Sequence, residues 1–100
     1  MTVVERTTHP TYGPALGGAP FIIDGVAFYP FRTGVNRFTR ATADGSIEVR
    51  QFVNDRGRTG CSTTYWVTVN GTPLGRRFLL FRTAARAAIK AFWDARRAAS

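Results

Sequence analysis

The chain has 100 residues, 44% of them hydrophobic and 13% aromatic, which supports one modest core and excludes both a second independent core and wholesale disorder. Fourteen bases face six acids, for a formal net charge of +8, and a field of that sign draws phosphate backbones and acidic partners. Cys61 is the only cysteine, which excludes an intrachain disulfide and fits a reducing cytoplasm.

Residues 1–20 carry Thr7, Thr8, Pro10, Gly13, Pro14, Gly17, Gly18 and Pro20, which break any regular element. They are expected to form an irregular or mobile arm, with Arg6 as its only base and His9 as a solvated side chain. The segment lacks the basic stretch and apolar run of a secretory signal. Residues 21–100 are expected to form a single sheet-plus-helix domain.

From Phe21 the chain reads as consecutive hairpins. Phe21-Ile22-Ile23 and Val26-Ala27-Phe28-Tyr29 flank Asp24-Gly25, a pair suited to a type I′ turn. Pro30 and Gly34 are expected to interrupt the run that follows. Residues 36–42 and 47–53 flank Asp44-Gly45 as a second hairpin, and residues 54–60 form a polar loop that carries Arg56 and Arg58. Residues 61–69 are rich in β-branched and aromatic side chains, Asn70-Gly71 is a strong hairpin turn, and a return strand follows over about 74–81. The period then changes. Thr83 can cap a helix that continues through Arg97, with Ala85, Ala88, Ile89 and Phe92 on one face and Arg86, Lys90 and Arg97 on the other. Trp93 lies on the boundary, and Asp94 is the only acid of the helix. Strands followed by one closing helix predict an α+β fold: an antiparallel sheet of consecutive hairpins packed on a C-terminal helix.

No catalytic constellation emerges, so the expectation is a non-enzyme with no cofactor. His9 and Cys61 lie far apart, and the scattered acids offer no metal-ligating cluster. The binding features are stronger. On the strand 61–69, alternation sends Tyr65, Val67 and Val69 one way and Thr64, Trp66 and Thr68 the other. If the first set meets the helix, Trp66 stands on an open face, which Arg37 and Arg50 can share from neighbouring strands. Periodicity alone leaves the two assignments open. Arginine binds phosphate or a guanine edge, and aromatics pack on bases and sugars, so such a face suits nucleic acid. Arg56 and Arg58 in the loop, and Arg76 and Arg77 on the return strand, are candidate phosphate clamps.

Tyr65-Trp66-Val67-Thr68-Val69-Asn70-Gly71, followed by Phe81-Arg82-Thr83 before the alanine-rich helix, resembles a known pattern. It is similar to the three-strand-plus-helix module of AP2-type DNA-binding domains and of the arm-binding domains of phage and transposon integrases. The resemblance covers about a quarter of the chain. It implies a sheet set in the DNA major groove with the helix behind it, and Arg37, Arg50 and Trp66 as groove-facing residues.

The leading functional expectation is thus a small basic DNA-binding accessory protein of a phage or other mobile element, with DNA favoured over RNA. The alternative is a phage-type inhibitor or adaptor that binds an acidic protein or a host defence nucleoprotein. Its hot spots would be Trp93, Arg86, Lys90 and Arg97, because Trp and Arg dominate such energetics. A homodimer is compatible with either expectation, and a membrane partner is not expected.

Overall fold

Two tight turns set the hairpin registers. At Asp24-Gly25 both residues have positive φ (49° and 79°), and at Asn70-Gly71 the values are 50° and 81°. Both turns therefore have the type I′ twist that matches flanking strands. Ile23 consequently pairs with Val26, and Val69 with Thr72. The computed structural model describes residues 7–34, 37–55 and 61–99, and the side chains of 7–33, 38–53 and 63–99. Its elements are β1 (Thr8–His9), β2 (Gly13–Pro14), β3 (Phe21–Ile23), β4 (Val26–Gly34), β5 (Arg37–Ala41), β6 (Ile47–Asp55), β7 (Cys61–Val69), β8 (Thr72–Phe78) and α1 (Phe81–Ala99).

Strands β3 to β8 form one antiparallel meander in chain order, and β1 and β2 form a separate two-stranded pair. The expected α+β architecture, a sheet of consecutive strands closed by one helix, is the fold observed.

Several boundaries differ from the sequence expectation. Strand β4 runs through Pro30 without a break, and its register shifts only between Arg32 and Gly34. The carbonyl of Pro30 accepts a hydrogen bond from Leu16 N at 2.9 Å, so this residue turns its backbone polar groups away from β5. A proline whose nitrogen faces that way removes no ladder bond. The return strand is Thr72–Phe78, so it begins and ends earlier than expected. The helix starts at Phe81, with Ala84 N bonded to Leu80 O, which places Thr83 inside the first turn instead of at the cap. The Phe81 ring explains the early start. It meets Phe21, Phe28 and Tyr65 edge-on, at centroid distances of 5.6, 5.7 and 6.1 Å. Residue 81 is thereby held in the sheet–helix seam.

The main core lies between α1 and one face of the sheet. Phe28, Val49 and Val67 are essentially sealed, and Ala84, Ala85, Ala88 and Ile89 meet them from the helix. The alanines bring the helix axis close to the sheet without voids. Arg40 closes one end of this layer, with its guanidinium 4.3 Å from the Phe21 ring centroid and 4.7 Å from that of Phe81.

The turn from β5 to β6 is built on one carboxylate. Asp44 Oδ1 accepts from Thr42 Oγ1 (2.8 Å), Ser46 N (3.0 Å) and Ser46 Oγ (2.8 Å). The hydrogen bonds from Ser46, first from its backbone and then from its hydroxyl, hold the Asp44 carboxyl below its ordinary pKa. Gly45 follows with a φ of 76°, and a Cβ at this position would come within 2.7 Å of His9 Nε2. Gly45→Ala therefore meets both a left-handed backbone and a steric conflict. We expect it to destabilise the protein by about 2 kcal/mol, measured as a lowered midpoint of urea unfolding at unchanged slope.

Candidate nucleic-acid interface

The pleat of β6 and β7 separates two sets of side chains. Val49, Val67 and Val69 enter the core against α1, so Tyr65 is on the helix side and Thr64, Trp66 and Thr68 are on the other. The open assignment of Trp66 is thus resolved toward the face away from the helix. Pairing across the sheet then sets Arg50 of β6 opposite Trp66, and Trp66 opposite Arg77 of β8. These three residues occupy facing positions on adjacent strands, with Trp66 on the middle one. Phe52, two residues beyond Arg50 on the same face, is 39% exposed and lies diagonal to Trp66.

The N-terminal hairpin packs on this same face. Phe31 and Thr39 are cross-strand partners in line with Arg50, and both are buried although neither belongs to the helix-side core. Their cover comes from β1, β2 and the turn between them. His9 stacks on Tyr12 (4.2 Å, 17°) and meets Phe31 edge-on at 5.2 Å. His9 Nδ1 accepts from Thr11 N (3.0 Å) and Tyr12 N (3.2 Å), so its proton lies on Nε2, which faces Glu48 Oε1 at 3.3 Å. Tyr12 Oη donates to Glu48 Oε2 at 2.6 Å and accepts from Arg50 Nη2 at 3.2 Å. Arg50 Nη2 is 3.7 Å from Glu48 Oε2, and the Arg50 side chain remains half exposed. His9, expected to be solvated, is instead only 3% exposed because the hairpin carries it onto the sheet.

The other sequence-derived candidates divide. Arg76 and Arg77, adjacent in sequence, stand on opposite faces. Arg77 joins the row with Trp66, whereas the Arg76 guanidinium lies 4.4 Å from the Phe78 ring centroid, in a crease shared with Leu74, Ala87 and Lys90 of the helix side. Arg37 contributes backbone to β5, opposite Gly34, and its side chain is outside the described residues, as are Arg56 and Arg58 entirely. On α1, Arg86 lies 3.5 Å from Asp24, Lys90 donates to Asp94 at 3.0 Å, and Arg97 pairs with the same carboxylate. Trp93 is 48% exposed, edge-on to Phe92, with the Arg96 guanidinium 5.7 Å from its ring centroid.

His9, Tyr12 and Glu48 are the residues that sequence reasoning missed. Tyr12 and Glu48 meet across a separation of 36 residues, and no local pattern announces that a Gly- and Pro-rich arm will return to the sheet. Among the described residues no group of His, Cys, Asp and Glu is arranged to hold a metal ion, and no helix is long and apolar enough to cross a membrane. Comparison of the chain with protein-family models, with curated proteins and with solved structures gave no match.

Partial burial, and then the hydrogen bond to Glu48, raise the Tyr12 phenol above its ordinary pKa, with Arg50 opposing. A raised folded value means that the Tyr12 contribution to stability is complete below the unfolded value of about 10 and is lost as pH rises through the folded one. Absorbance titration of tyrosinate should therefore show a component above the ordinary tyrosine range. Tyr12→Phe should remove that component while leaving the far-ultraviolet circular dichroism unchanged.

Proposed function

We propose that this chain is a small basic DNA-binding protein that receives the sugar–phosphate backbone on the sheet face opposite α1. The observation that carries this reading is the row of Arg50, Trp66 and Arg77 on three adjacent strands, in a chain of net charge +8. Neighbouring strands are about 4.8 Å apart, so the backbones of Arg50 and Arg77 flank that of Trp66 at roughly 5 Å on each side. In this reading, guanidinium groups neutralise phosphates and the indole packs on a sugar or base. On the helix, Arg86 faces Asp24, and Lys90 and Arg97 share the Asp94 carboxylate.

A role as an accessory protein of a phage or mobile element is consistent with this chemistry. The second reading, an inhibitor or adaptor for an acidic protein or nucleoprotein, rests on the half-exposed Trp93. It lies beside a cleft of about 170 Å³ edged by Ile89 and Phe92.

Titration of labelled DNA at low salt, followed by fluorescence anisotropy, tests the leading reading. Affinity should fall steeply as salt rises, because each phosphate contact releases counterions. Arg50→Gln and Arg77→Gln should each weaken binding and lower the logarithmic salt slope by about one, whereas Arg86→Gln should change neither. If neither single-stranded nor duplex DNA binds at low salt, the proposal fails. Retention of a partner from nuclease-treated lysate by the wild type, and its loss in Trp93→Ala, would turn attention to the helix.

A further inference from the structure

A cleft of about 140 Å³ opens where the N-terminal hairpin meets the sheet, lined by Tyr12, Thr33, Phe38, Arg50, Gln51 and Phe52. Its walls on the open face come from three separate places. Tyr12 belongs to the turn between β1 and β2, Thr33 to β4, and Arg50 and Phe52 to β6, with β5 beneath. The Tyr12 wall is pre-set, since its ring stacks on buried His9 and its hydroxyl is held by Glu48 and Arg50. The opposite wall, Phe52, is 39% exposed. Arg50 stands at the rim with half its side chain in solvent.

These groups select a narrow class of ligand. An apolar side chain would make no use of the exposed half of Arg50, and a bare anion would make no use of the aromatic walls. A flat π-faced ring joined to an anionic group uses both. The space is of the right order, because an apolar cavity of about 150 Å³ accommodates benzene. In a duplex both faces of each base are covered by its neighbours in the stack, so only an unstacked base can offer a ring to such a cleft.

We infer that this cleft receives an unpaired base of a single-stranded nucleic acid, with the adjoining phosphate on Arg50. Trp66 stands diagonal to Phe52 across β6 and β7, a separation of about 7–8 Å that suits the next splayed base. The inference rests on the nucleic-acid reading of the same face and adds the strandedness of the ligand. DNA and RNA strands both supply an unpaired base with a phosphate.

The test is fluorescence anisotropy at low salt with a labelled mixed-sequence DNA strand of about twelve nucleotides, within the usual span of single-strand sites. The same strand annealed to its complement and the corresponding RNA strand are titrated alongside. The single strand should bind at least about tenfold more tightly than the duplex. Phe52→Ala should weaken single-strand binding by roughly tenfold and leave duplex binding unchanged, as expected for the loss of one stacking wall. Phe52→Tyr should restore it, and the melting temperature of each variant checks that the sheet is intact. Whichever single strand binds more tightly, DNA or RNA, identifies the polymer that supplies the base, and either supports the cleft. Duplex binding as tight as or tighter than the single strand, or equal weakening of both by Phe52→Ala, overturns the inference and leaves the phosphate-binding face standing. Absence of binding to all three overturns both.

Discussion

The close approach of α1 to β6 and β7 decides where nearly every other side chain stands. Ala84, Ala85 and Ala88 have no bulk to hold the helix away, so Val49 and Val67 can be sealed beneath it. Once those two valines face the helix, the two-residue period of a strand leaves no choice for their neighbours. Arg50 and Trp66 must face the other way, and cross-strand pairing aligns them with Arg77. A slip of one residue in β6 would bury the Arg50 guanidinium beside the helix and expose a valine, and a slip in β7 would exchange Trp66 for a valine in the same way. The apolar packing therefore specifies the polar face as firmly as it specifies the core.

That polar face is not left bare. The N-terminal hairpin covers Phe31 and Thr39 and brings a second, smaller set of buried contacts to the side opposite the helix. Its anchor is polar. Glu48 is mostly shielded, and it is compensated by the Tyr12 hydroxyl and the Arg50 guanidinium. A buried carboxylate without such partners would be strongly unfavourable, so the hairpin and the acid depend on each other. Gly45 belongs to the same arrangement, because the absence of its side chain makes room for His9.

Much of this architecture was legible in the sequence. Asp24-Gly25 and Asn70-Gly71 announced their turns through residues that tolerate positive φ, and the alternation of β7 exposed the choice between two faces. The alanine-rich helix announced its buried side through a 3.6-residue period. The errors came where a tertiary contact overrode a local rule. Pro30 is accommodated because its backbone faces Leu16 and not β5, and the Phe81 ring draws the helix start ahead of the Thr83 hydroxyl. The site was legible only in part. Arg50 and Trp66 were identifiable as a pair once one face was chosen, and Arg77 could follow from the register of the Asn70-Gly71 hairpin. Tyr12 and Glu48 carried no comparable signal, since their meeting depends on a return of the chain that local residue patterns do not encode. The division of Arg76 from Arg77 is a matter of pleat, and reading adjacent bases as a unit overlooks it.

The outer strand β8 has a consequence of its own. Its ladder with β7 shifts register between Trp66 and Thr68, Pro73 removes a donor, and Gly75 adopts a φ of 80°. Arg76 and Arg77 then project a charge from each side of the strand. A sheet margin that is kinked, short of a donor and positively charged on both sides is a poor template for a further strand. Copies of the chain meeting at this margin would repel and not zip together, so this edge of the sheet does not invite fibrous growth.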